Sequence, residues 1–77
     1  MNAELFRGTI NKYKELRHIR TQEDLRKHTT VGSNKTFGKY FADPELIPLG
    51  VFNQIMDCLN VPYEERWEIL KKKGEER

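Results

Sequence analysis

Residues 21–41 read TQEDLRKHTTVGSNKTFGKYF, and the fold is decided in this stretch. Thr21, Gln22, Glu23 and Asp24 have the form of a capping box: a hydroxyl to receive the first free N–H groups, and an acid three residues on. That start predicts a short helix over 22–29, anchored by Leu25, with His28 a partly buried filler and Thr29 flanking the same face. The Thr-Val-Gly-Ser run at 30–33 is a turn. Gly32 is expected to supply a positive φ there, Val31 to plug the angle between two helices, and Ser33 to cap the next one. Over 34–41, at 100° per residue, Phe37, Tyr40 and Phe41 gather on one side. Lys35 and Lys39 sit one turn apart on the other, beside Thr36 and Gly38. Two like charges at that spacing destabilise a short helix by a few tenths of a kcal/mol, roughly. An anionic partner would offset that cost.

On the amino-terminal side, Leu5, Phe6, Thr9, Ile10, Tyr13 and Leu16 recur at three- and four-residue spacings. They predict an amphipathic helix over 3–18 capped by Asn2, with Arg7, Lys12, Lys14 and Glu15 facing away. On the carboxyl-terminal side, Asp43-Pro44-Glu45-Leu46 is a helix-start signal that Pro48 cuts to a single turn. The most apolar helix follows over 49–59, with Leu49, Phe52, Ile55, Met56 and Leu59 on the core face. Pro62 opens a last helix over 63–72, in which Tyr63, Trp67 and Leu70 share a face and Ile69 lies beside it. Its early Glu64, Glu65 and Glu68 and late Lys71, Lys72 and Lys73 complement the helix dipole, and Gly74 ends it before a fraying tail at 74–77. The expected fold class is all-α, a bundle of about five short helices in one domain spanning 1–77, its core about 3–72.

Composition bounds the function. A chain of 77 residues with 34% charged side chains and eight aromatics can build one modest core. Its single cysteine, Cys58, rules out an internal disulfide, and no run of about 18 apolar residues exists to span a membrane. A cytoplasmic protein is expected. Net charge is only +2, but residues 1–42 carry nine Lys/Arg against four acids, whereas 43–77 carry five against eight. A basic half joined to an acidic half suggests that an anionic partner meets the first half only. Two isolated histidines, one cysteine on a core-like face and no convergent carboxylates give no catalytic constellation and no metal-ligand spacing. No enzyme, cofactor or metal is expected. Gly32-Ser33-Asn34-Lys35-Thr36 faintly echoes a phosphate-binding loop, but its first glycine, its Gly-Lys pair and its leading strand are missing.

A capped helix, a turn and a second helix with rings inward and lysines outward make the arrangement of a helix-turn-helix, whose second helix enters the major groove of DNA. The motifs Thr21-Gln22-Glu23-Asp24-Leu25, Val31-Gly32-Ser33, Thr36-Phe37-Gly38-Lys39-Tyr40, Pro48-Leu49 and Ile55-Met56-Asp57-Cys58-Leu59-Asn60-Val61 follow in order. Over about residues 9–70 the chain thereby resembles the phage repressor and Cro-like helix-turn-helix domains, the XRE type, with the lambda-repressor-like fold. It departs from their pattern at Arg26, where a small residue is usual, at Thr29, where leucine is usual, and in a turn one residue longer. The resemblance implies a sequence-specific double-stranded DNA-binding protein, a small transcriptional regulator of a phage or mobile element, often a homodimer. Carried over position by position, it implies that Gln22 meets a phosphate or orients its neighbour. Ser33, Asn34, Lys35 and Thr36 would begin the reading helix, with Asn34 serving an adenine bidentately and Lys35 a guanine. Lys39 and Arg26 would take phosphates. The competing expectation is a protein-interaction module on the same fold, with Tyr63 and Trp67 as its exposed aromatic surface.

Overall fold

Three helices begin by one device. The side-chain oxygens of Asn2, Thr21 and Ser33 accept from the backbone N–H of Leu5, Asp24 and Thr36, at 3.1, 3.1 and 3.3 Å. Each satisfies an amide that the first helical turn leaves without an intrahelical acceptor. The structure, a computed structural model, describes residues 1–71. Its elements are α1 (Ala3–Leu16), α2 (Gln22–Arg26), α3 (Asn34–Ala42), a 3-10 turn (Pro44–Leu46), α4 (Leu49–Leu59) and α5 (Tyr63–Leu70). No strand occurs among the described residues, and the all-α bundle of five short helices is as expected. Asp43 caps the 3-10 turn through Glu45 N–H, and Pro44 starts it. The expected end of the last helix at 72, its terminal lysines, Gly74 and the tail lie outside the described residues.

Both α1 and α4 end in a left-handed residue that is not glycine, His18 at φ 60° and Asn60 at φ 56°. Ile19 N–H returns to the Lys14 carbonyl at 2.9 Å and Val61 N–H to that of Met56 at 3.0 Å, the six-residue closure that seals a helix C-terminus. The left-handed backbone costs about 1 kcal/mol at a residue with a Cβ, and the two closing hydrogen bonds hold it in place. Gly32, by contrast, does not adopt a positive φ, so the turn is shaped without the freedom expected of it.

A line of rings carries the core. Phe37 and Phe41 of α3 stand 5.1 Å apart, Phe41 meets Phe6 of α1 edge-on at 5.5 Å, and Phe6 reaches Phe52 of α4 at 6.2 Å. Around it Ile10, Leu25, Ile55, Met56, Leu59 and Ile69 are fully buried, and Val31 plugs the turn as expected. Leu5, Leu16 and Leu49, assigned to core faces by periodicity, are exposed instead. The buried stripe of α1 centres on Phe6, Thr9, Ile10 and Tyr13, which leaves Leu5 and Leu16 at its rim. Leu49 is the first residue of α4, where the helix has not yet reached the core.

Candidate nucleic-acid interface

The segment between α2 and α3 is longer than expected because α2 stops at Arg26 rather than at residue 29. Thr29 ends it. Its hydroxyl donates to the Arg26 carbonyl at 2.7 Å and accepts from Val31 N–H at 3.2 Å, offering the backbone a local alternative to another helical turn. His28 is therefore off the helix and exposed, not a filler. Gln54 of α4 then fixes the turn from below, its Oε1 accepting from Thr30 N–H at 3.0 Å and from the Thr30 hydroxyl at 3.2 Å. A turn tied at both ends gives α3 a defined exit.

On α3, Phe37 is buried, with Tyr40 and Phe41 half-buried against the core. Lys35 and Lys39 are exposed on the opposite side and form no hydrogen bond or ion pair among the described residues. Thr36 and Gly38 lie between them, half-buried. A Cβ added at Gly38 would meet nothing within 4 Å, so the helix has a shallow spot between its two lysines rather than a packed one. Ser33 is exposed and engaged as the helix cap. Gln22, at the first position of α2, is exposed, and its side chain forms no hydrogen bond among the described residues.

Arg26 and Asn34, both expected at the interface, bond to each other within the chain. The Arg26 Nε–H donates to Asn34 Oδ1, and its Nη1–H donates to the Val31 carbonyl at 3.0 Å. Arg26 is half-buried and bridges α2, the turn and the start of α3. Its Nε–H and one Nη–H are thus engaged within the chain. Asn34, exposed, has its acceptor atom committed to that bridge.

Three other arginines, Arg7, Arg17 and Arg66, follow the same habit, which periodicity did not reveal. Arg7, read as part of an outward face, donates to the Phe41 and Ala42 carbonyls at 2.9 Å each and so closes the C-terminus of α3. Arg17 donates to the Leu59 carbonyl at the end of α4. Arg66 is buried, its Nε–H given to the Val61 carbonyl and its Nη1 paired with Asp57 at 2.8 Å. A planar fork with five donors suits carbonyls at helix ends better than a single ammonium does. The only usable hint lay at Arg66, which sits three residues before Ile69 on one helix face.

A cleft lined by Asn11, Lys14, Glu15, His18, Ile19 and Arg20 lies at the end of α1 and includes none of Gln22, Arg26, Ser33, Asn34, Lys35, Thr36 and Lys39. Glu15 and the negative end of the helix dipole offset Lys14 and Arg20 there, which makes it a poor anion site. Among the described residues no three His, Cys, Asp or Glu side chains come together as metal ligands, and no helix is long and apolar enough to cross a membrane. No family model, curated protein or solved structure matches the chain.

Proposed function

We propose that the protein binds double-stranded DNA through α3, as a small transcriptional regulator of the helix-turn-helix kind. The observation that carries this reading is the contrast among its cations. Arg7, Arg17 and Arg26 are spent on backbone carbonyls, while Lys35 and Lys39 stand exposed, one turn apart and unpaired among the described residues. Two ammonium groups kept in water on one face of a rigidly capped helix are positioned for phosphates or for guanine acceptor edges in a major groove. The XRE-type pattern of the sequence supports the same assignment. A homodimer would place two α3 helices about 34 Å apart, one turn of the duplex.

Fluorescence anisotropy with duplexes drawn from a random pool, repeated across salt concentrations, tests it. The wild-type chain should bind with a steep salt dependence, and Lys35→Ala/Lys39→Ala should lower the slope of log K against log salt by roughly one to two units. Equal affinity and equal slope for the double variant would remove α3 from the interface.

A second reading, a protein-interaction module, is favoured by one observation. Tyr63 and Trp67 on α5 are 76% and 62% exposed, and exposed rings of this size anchor protein contacts. Under that reading Trp67→Ala abolishes partner binding and the lysine pair is indifferent.

A further inference from the structure

We propose that Arg26 sets the base preference of α3 by holding Asn34 in a donor-only state; this rests on the DNA-binding reading above. A guanidinium has no acceptor, so the Asn34 atom facing Arg26 Nε must be the carbonyl oxygen, and the amide NH2 is turned outward. Reading adenine with an asparagine needs both ends of that amide. Oδ1 accepts from the adenine N6 amino group while the NH2 donates to N7. With Oδ1 bound to Arg26, the first half of that pair is taken. A second lone pair remains on the oxygen, but a base amino group approaching it would lie beside the guanidinium N–H groups, positive end against positive end.

The clamp is fixed at two points. Arg26 Nη1–H is held by the Val31 carbonyl, and Thr29 holds the Arg26 backbone carbonyl. Neither residue can swing aside without loosening the turn that aims α3. The remaining groups on this face agree in kind. Lys35 and Lys39 only donate, and the Ser33 oxygen already accepts from Thr36 N–H, which leaves its hydroxyl proton to donate. A face made of donors fits the base edge richest in acceptors. In the major groove that is guanine, with N7 and O6 side by side, whereas adenine and cytosine each present an amino donor. The protein therefore selects guanine opposite Asn34 and discriminates against adenine there.

The test is selection from a random double-stranded DNA pool followed by affinity measurement on the winning duplex and its single-base variants. The wild-type chain should prefer guanine over adenine at one position by roughly tenfold or more. Asn34→Asp keeps an acceptor for Arg26, and so keeps the turn, but removes the outward donor; the preference at that position should fall about tenfold. Arg26→Ala frees the amide, so adenine should become the accepted base there, and this gain should vanish in Arg26→Ala/Asn34→Ala. Thermal melting of each variant shows that it is folded. If the chain enriches no DNA, the DNA-binding reading fails and takes this inference with it. If the wild type and the variants bind DNA with the same base preference, the clamp alone is refuted.

Discussion

Helices α3 and α5 invert one another. α3 turns its rings inward and its cations outward: Phe37 is buried and Lys35 and Lys39 stand in solvent. α5 turns a cation inward and its rings outward: Arg66 is buried beside Ile69, while Tyr63 and Trp67 are exposed. The difference shows up in what holds each helix. α3 is fixed by the ring line from Phe37 through Phe41 to Phe6, with Arg7 closing its end. α5 is held by Ile69 and by polar ties: Arg66 to Asp57 and Val61, Glu65 to the Tyr13 hydroxyl at 2.7 Å, and the Ile69 carbonyl to Asn2 N–H at 2.8 Å. A helix fixed by apolar burial keeps its polar face free for a ligand. One fixed by polar contacts keeps its rings free.

The largest effect should come from α3. Phe37→Ala removes a fully buried ring at the meeting of α2, α3 and the core, and should cost about 3–5 kcal/mol, read as the shift in the urea midpoint. In a 77-residue domain, whose total stability is about 4–12 kcal/mol, that is a large share of the whole. On α5 the matching change is Arg66→Ala. It forfeits a buried hydrogen bond, the packed stem and the contact with Asp57, for about 2 kcal/mol. The Asp57 carboxylate is 65% exposed and returns to water, which keeps the loss below that of the ring. If Arg66→Ala cost as much as Phe37→Ala, the contrast between apolar and polar anchoring would be wrong.

Alkaline pH separates the two helices further. The Tyr13 hydroxyl is held above its usual pKa, first by donating to Glu65, then by burial and by the Glu65 charge, with Arg17 opposing. A raised pKa in the folded state means that the folded protein binds the phenolic proton more tightly than the unfolded chain. The resulting stability is complete below about pH 10 and is lost as pH rises through the raised value. Chemical denaturation across that window should show a fall in stability that is shallower in Tyr13→Phe. Amide exchange should rise first in α5, which this bond ties to α1, and only later in α3.

What the sequence allowed one to see was what depends on neighbours along the chain. The caps at Asn2, Thr21, Ser33 and Asp43, the bounds 49–59 of α4 and the split of α3 into ring and lysine sides all follow from short spacings. The exposed positions of Lys35 and Lys39 were legible for the same reason. Arg26 was not, because its two bonds reach across a turn whose shape depends on α2 ending early at Thr29. The roles of Arg7 and Arg17 are equally hidden in the sequence, because their acceptors lie 34, 35 and 42 residues away. On α5, periodicity found the aromatic stripe but not which stripe is buried. Tyr63, Trp67 and Leu70 align, yet the core lies about 90° around the helix, at Arg66 and Ile69.

The smallest expected effect is the one that sharpens the inversion most. Trp67 is 62% exposed, and its side chain forms no hydrogen bond or ring contact among the described residues. Trp67→Ala should therefore change stability by no more than about 0.5 kcal/mol, although the same substitution at a buried tryptophan costs about 3–5 kcal/mol. Tyr63 is more exposed still, but its ring lies 4.4 Å from the Arg66 guanidinium carbon. Tyr63→Ala should cost slightly more than Trp67→Ala, by about 0.5–1 kcal/mol, because it uncovers one face of a buried cation. Differential scanning calorimetry on the two variants resolves that order. Reversal of it, with Trp67 the costlier ring, would mean that α5 docks on its aromatic side, and the inverted pattern would then have no physical basis.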